Sequence, residues 1–380
     1  MYLKINNVKF LTFQGYKFTL IKNNIYVENG IIHHIGNLDI ETKTVDLGRS
    51  VLIPCFFNIH SHLGESLFKD IKGDDWTLSK YLEYTESYNR KLNKEQREQK
   101  WVESAEYTSR LMKKNGISGF CAARSARIAK KYNLNTMSGY PIMNSIKLED
   151  YKNAGLQGFI DYYKEYSSKC CSVGIFLHSI YANDDESFKL SYNCLEHGAE
   201  FISVHVSEDE DSMLAERKKY GMPAVELLDK YGLLNEKAVL VHCGYTTDKE
   251  LELIAKRQAS IAICPISNQF LNTKMPNLYR LEELNIPWFV ATDGLATGRT
   301  LSLLLQIQRL KEEFPLITNQ RLMESITRLP SKYFNRPCYK GNIETGSEAK
   351  FISVEYTGNN VEELLENLFC GKISFNCLEF

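Results

Sequence analysis

Apolar residues gather along this chain in short runs separated by longer mixed segments. Eight runs, at 53–60, 117–123, 139–144, 173–180, 201–206, 238–243, 259–266 and 287–292, are continuous enough in apolar, β-prone residues to predict strands buried on both faces. Most of the intervals hold amphipathic, helix-prone sequence, such as Asp248-Lys-Glu-Leu-Glu-Leu-Ile-Ala-Lys-Arg257 between the sixth and seventh runs. Eight strand-then-helix units predict an α/β chain closed into a (β/α)₈ TIM-like barrel, a fold whose chemistry gathers at the C-terminal ends of the strands.

The segment before the first run has a different rhythm. Lys17-Phe-Thr-Leu-Ile-Lys22 and Asn24-Ile-Tyr-Val-Glu-Asn-Gly-Ile-Ile32 read as short strands joined by Asn and Gly turns. A length of 380 residues suits a barrel of roughly 250 residues plus an accessory layer. The net charge of −1, from 46 basic and 47 acidic residues, gives no general attraction to nucleic acid or anionic membrane. Mixed-charge stretches such as Arg90-Lys-Leu-Asn-Lys-Glu-Gln-Arg-Glu-Gln-Lys100 read as solvated helix faces. No stretch approaches the roughly 20 apolar residues of a membrane helix, and the first residues carry no apolar core of a signal peptide. The 10 cysteines are scattered without a C-x-x-C pair, which predicts reduced thiols in a cytoplasmic protein. Cys55, Cys121, Cys243 and Cys264 fall within predicted strands and read as small buried apolar residues, with Cys243 beside His242 the one alternative nucleophile.

Histidine placement adds chemistry to this frame. His60 and His62 form an H-x-H pair closing the first run, and residues two apart in an extended chain point the same way. By the same count His178 ends the fourth strand, His205 the fifth, His242 the sixth and Asp293 the eighth. Singly, each reads as a satisfied polar residue. Six at one barrel mouth read instead as a site for one divalent cation with a position left open for water, and so as a metal-dependent hydrolase. His33, His34 and His197 have no such placement and read as structural or solvent-facing.

Specific motifs strengthen that reading. Pro54-Cys-Phe-Phe-Asn-Ile-His-Ser-His-Leu63, His205-Val-Ser-Glu208, Val241-His-Cys-Gly244, Cys264-Pro-Ile-Ser-Asn268 and Thr292-Asp-Gly294 together resemble the amidohydrolase superfamily. The branch is that of cytosine, guanine and adenosylhomocysteine deaminases and triazine chlorohydrolases. Cys55 stands where the family pattern has glycine. Gly341-Asn-Ile-Glu-Thr-Gly-Ser-Glu-Ala-Lys-Phe-Ile-Ser-Val354 also resembles the family, with Lys350 where aspartate is common. The resemblance implies that both chain ends pair into a small β-sandwich, giving 1–53 and 339–380 as its two parts and 54–338 as the barrel. A homodimer is also implied.

Carried over residue by residue, the resemblance implies His60, His62, His205 and Asp293 as ligands of one metal per subunit. Neutral imidazoles and a carboxylate suit Zn²⁺ or Fe²⁺ equally well at this level. Asp293 would take a proton from water, and His242 would hydrogen-bond the attacking oxygen. Glu208 would pass a proton to a ring nitrogen of the substrate and later to the leaving amine; its alternative is a solvated acid in the run Glu208-Asp-Glu-Asp211. Because ammonia leaves only when protonated and chloride does not need it, Glu208 favours deamination of an amino-substituted heterocycle. Cleavage of a cyclic amide or carbon–halogen bond is the nearer alternative, and a non-catalytic ligand-binding relative of the fold the remoter one. His178 would face the substrate. Glu65, Trp76, Tyr181 and also Tyr81 would line the pocket or serve ordinary packing, while Arg124, Arg127 and Arg299 would clamp an anion or face solvent. Val290-Ala-Thr-Asp-Gly-Leu295 before a leucine-rich helix resembles aminodeoxyfutalosine deaminases, which implies a nucleoside-like substrate.

Overall fold

The computed structural model describes residues 2–73, 75–144, 149–337 and 339–380. Five strands come first: β1 (Leu3–Gln14), β2 (Lys17–Glu28), β3 (Ile31–Ile35), β4 (Lys43–Val45) and β5 (Ser50–Pro54). Cys55 alone separates β5 from β6 (Phe56–Asn58), the first of eight parallel strands. These continue as β7 (Ile117–Ala123), β8 (Asn135–Ile142), β9 (Cys171–Ser179), β10 (Ile202–Val206), β11 (Ala238–His242), β12 (Ser260–Ile263) and β13 (Trp288–Val290), each crossover carrying at least one helix. Two final strands, β14 (Lys350–Glu355) and β15 (Phe375–Glu379), flank the helix Val361–Phe369.

Alternation along the barrel strands splits the core in two. Phe57, Val239, Val241, Ala262 and Phe289 pack together inside the barrel. Phe120, Leu240, Ile261, Ile263 and Val290 face the outer layer. The hydrogen-bonded ladder runs in order from β6 to β13. At the seam between those two strands a side chain does the joining: Asn58 donates to Thr292 Oγ1 at 2.7 Å and accepts from the Thr292 amide at 3.1 Å. The barrel is therefore nearly closed, and the predicted fold class holds.

The two chain ends meet in one seven-stranded sheet, ordered β15-β14-β5-β1-β2-β3 with β4 beside β1, rather than in two separate layers. On neighbouring residues its faces part company: Leu52 and Phe351 join a small core of its own, while Val51, Ile53 and Ile352 pack into the main core. The run at 139–144 marks only the end of β8, which starts at Asn135. Its first residues are polar yet buried, because Thr136 Oγ1 donates to the Phe120 carbonyl, Ser138 hydrogen-bonds Tyr162, and Asn135 donates to Glu348. Likewise the run at 53–60 divides between β5 and β6. Among the described residues no helix is long and apolar enough to cross a membrane.

Candidate active site

Strand β6 ends at Asn58, so His60 and His62 sit just beyond it rather than on it. The backbone stays extended at His62 (φ −113°, ψ 103°), which keeps the two imidazoles on a common side. His62 Nε2 lies 3.1 Å from His205 Nε2 and 3.2 Å from Asp293 Oδ1, and His60 Nε2 approaches the same carboxylate oxygen at 3.5 Å. One ligand atom from each of His60, His62, His205 and Asp293 falls within 4.8 Å of all the others. The expected ligand set is thus assembled in space.

Orientation within the cluster favours a cation at its centre. His205, buried on β10, hydrogen-bonds the His178 backbone carbonyl through Nδ1. A carbonyl only accepts, so Nδ1 carries the proton and Nε2 turns a lone pair to the cluster. The hydroxyls of Ser267 and Thr297 donate to Asp293 Oδ2 at 2.6 and 2.7 Å, which directs Oδ1 inward. Among the described residues, neither ring nitrogen of His60 nor Asp293 Oδ1 makes a well-aligned hydrogen bond, although all are buried and the Nε2 atoms of His60 and His62 approach Asp293 Oδ1 at 3.5 and 3.2 Å. Buried polar atoms left this way are costly in a protein interior, and a divalent cation answers them at once. These residues fit the metal that the donor chemistry implies.

Charge states follow from burial. Removal from water brings His60 down to about 4 despite its contact with Asp293. Burial opposes the charge on His62 too, but Asp293, Glu65 and Glu208 prevail and push it up to about 9. Burial also opposes ionisation of Asp293, yet the His60 and His62 imidazoles hold it well below the usual carboxylate range. Glu208 behaves oppositely. Burial, reinforced by Asp293 and Asp209, pushes its carboxyl well above the ordinary value, and its Oε1 lies 3.4 Å from His242 Nε2. His242 ends β11, and burial keeps its imidazole neutral. Burial likewise pushes up the Cys243 thiol, which removes it as a nucleophile.

A cleft of about 980 Å³ opens beside the cluster, its wall formed there by Ser61, His62, Glu65, Tyr81, His178 and Tyr181. Farther along it runs past Trp101, Arg124, Tyr140 and Tyr151. Trp76 and Arg299 are not among its lining residues. Trp76 is half-buried against Phe270 and Tyr84 and donates to the Lys72 carbonyl; Arg299 donates to the carbonyls of Ile71 and Ala296. Arg127 is exposed on the helix Ala126–Lys131. Sequence reasoning missed Gly294, Ser267, Ser61 and Asn58. Each lies inside a quoted motif, but spacing alone does not reveal that Ser61 Oγ donates to the Asp293 carbonyl or that Ser267 holds the Asp293 side chain.

The model of the amidohydrolase family matches residues 51–373. A 5-methylthioadenosine/S-adenosylhomocysteine deaminase of Pyrococcus furiosus is 26% identical over 306 residues, covering 77% of this chain and 71% of the relative. A zinc-bound adenosine deaminase structure from Xanthomonas campestris superposes with a TM-score of 0.83 at 18% identity, covering 97% of this chain and 88% of the other. An atrazine chlorohydrolase from Arthrobacter aurescens, solved with zinc and atraton, gives a TM-score of 0.82 at 16% identity over 97% and 91% of the two chains.

Proposed function

The chain belongs to the amidohydrolase family, and from that premise we propose that it is a metal-dependent aminohydrolase releasing ammonia from an amino-substituted nitrogen heterocycle of the purine, pterin, pyrimidine or nucleoside type. The observation that carries this reading is Glu208: a buried carboxyl pushed well above its ordinary pKa, 3.4 Å from His242 and beside the four-ligand cluster. A buried carboxyl biased towards its protonated form suits the proton donation that a poor leaving group such as ammonia requires.

His60, His62, His205 and Asp293 hold the cation, for which zinc is proposed on the donor set. When bound, it supplies hydroxide at neutral pH, since such a site lowers the pKa of water from about 15.7 to ~7. Asp293, with Oδ2 fixed by two hydroxyls, keeps Oδ1 available to receive a proton. Glu208 gives its proton to the ring nitrogen, which makes the adjacent carbon electrophilic; it then takes the proton of the adduct's new hydroxyl as the carbonyl forms and passes it to the departing amine, and the proton received by Asp293 restores Glu208. Neutral His242 steadies the attacking oxygen, and His178 and Tyr181 border the ring. Deaminase-named relatives support this class of substrate. A cytoplasmic location, in keeping with cysteines scattered without a C-x-x-C pair, and a homodimer complete the proposal; light scattering on the purified protein tests the dimer.

Ammonia release from metal-loaded protein across aminopurines, aminopterins, aminopyrimidines, adenine nucleosides and triazines is the test. Turnover on at least one scaffold is expected, with Glu208→Gln retaining metal and losing about 10²–10⁴-fold. Halide or ring-opened product without ammonia would replace deamination by carbon–halogen or cyclic-amide hydrolysis. No turnover at full metal occupancy on any scaffold would leave a ligand-binding relative.

A further inference from the structure

The long cleft carries a charge pattern that bears on substrate class, and the following rests on the deaminase reading. Among the described residues that line it, six are acidic (Glu65, Glu86, Glu98, Asp150, Asp161 and Glu165) and, beyond His62 and His178 at the metal end, three are basic (Lys94, Arg97 and Arg124). Each of the three has a partner, although Arg124 meets its own through Nη2 alone and leaves its buried Nε without a hydrogen bond among the described residues. Lys94 pairs with Asp150 at 2.7 Å. Arg97 donates to the Leu92 carbonyl at 2.6 Å and to Asn89, locking the turn between two helices. Arg124 binds the carboxylate of Glu98, and its guanidinium lies 4.2 Å from the Trp101 ring centre and 5.4 Å from that of Tyr151.

Arg124 is only 14% exposed, against 52% for Glu98. A negatively charged substituent reaching it must displace Glu98 or share the guanidinium with it, and meets the other carboxylates on the way. Like charges brought together in a partly desolvated cleft repel. Arg299 offers no substitute, because it is not among the lining residues of the cleft and its Nη1 donates to the carbonyls of Ile71 and Ala296.

We propose that the cleft selects a heterocycle whose appended group is neutral or cationic, and that Glu98, by neutralising Arg124, is the residue that sets this preference against anions. The cation–aromatic stack keeps Arg124 in place as a flat wall rather than as an anion clamp.

Three adenine nucleosides differing only at the 5′ position, bearing hydroxyl, ammonium or carboxylate, test it on the zinc-loaded full chain, with binding followed by calorimetry and ammonia release in parallel. The carboxylate compound is expected to bind about tenfold more weakly than the other two, the size of one unit charge in a partly screened cleft. Glu98→Gln is expected to raise the carboxylate-to-hydroxyl affinity ratio at least threefold, on the order of a partial loss of that charge. Equal or preferred binding of the carboxylate, no binding of any of the three, or an unchanged ratio in Glu98→Gln overturns the proposal. Selective binding without ammonia release leaves it standing and overturns the deaminase reading alone.

Discussion

Gly294 is the position where one hydrogen atom matters most. A Cβ built there would fall 1.7 Å from Glu65 Oε2 and 2.8 Å from Glu65 Cβ, so the Glu65 carboxylate reaches the cluster only because residue 294 has no side chain. Glu65 is itself fixed from behind: Ser104 and Thr108 donate to the Leu63 carbonyl and anchor the turn Leu63–Phe68. Gly294→Ala is expected to displace Glu65 and lower kcat/KM about tenfold or more, with a stability loss of about 1–3 kcal/mol typical of overpacking. Wild-type kinetics in a folded Gly294→Ala protein would remove Glu65 from the site. The ligand histidines were legible in the sequence because metal ligation demands particular residue types at strand ends. Gly294, Ser267 and Thr297 were not, because a missing side chain or a small hydroxyl carries no chemical signature until its neighbour is known. Arg299 shows the converse: a guanidinium beside a motif reads as an anion clamp or a surface group, and here its Nη1 donates to two loop carbonyls.

Between elements, much of the site's geometry is set where strands end. Arg124, Ser207, His242 and Cys243 take positive φ at or directly after β7, β10 and β11, and Asp293 does so three residues beyond β13, all between 46° and 70°. Non-glycine residues adopt that region at a cost, and here it turns side chains inward at the exits of the barrel. The seam is a second element-scale device. Asn58 and Thr292 replace a strand ladder with two side-chain bonds, which is why the first and last strands could be counted from the sequence while their closure could not. Asn58→Ala strands buried Thr292 without either partner and is expected to cost about 1–3 kcal/mol in denaturant unfolding; an unchanged midpoint would mean that the seam holds without it.

The helix Glu210–Tyr220 supplies a pH-dependent counterpart. Glu216 is buried on it, and burial pushes its carboxyl up to about 8 from an unfolded value of 4.5. A carboxyl raised on folding favours the native state fully below the unfolded value, and that contribution is lost as pH rises through the folded one. Wild-type stability is therefore expected to fall between about pH 4.5 and 8 from this group. Glu216→Gln, which cannot ionise, should flatten that segment and melt a few degrees higher at the alkaline end. Parallel pH profiles of Tm for the two proteins would contradict the assignment.

At the scale of the whole molecule, the site is an unsettled account in an otherwise well-packed fold. β5 passes into β6 through Cys55 alone, and β14 pairs with β5, so the terminal sheet and the barrel share their connection and part of the main core. Loss of barrel structure thus exposes the sheet as well, and one cooperative transition is expected. The centre of that unit holds His60, His242 and Asp293 Oδ1 buried without well-aligned hydrogen bonds among the described residues. The unfolded chain scatters these groups and hydrates them, so a cation that gathers them binds the native state far better than the unfolded one. Linkage then fixes the sign: metal at 100 times its Kd adds about 2.7 kcal/mol to stability. Stripping the metal with a chelator is expected to lower Tm by several degrees, and re-addition of zinc should restore it. Replacing His60 by Ala should abolish the zinc-dependent part of the shift while leaving a single transition. A Tm indifferent to chelator and to zinc would show that the four residues do not act together as a metal site, however close they lie.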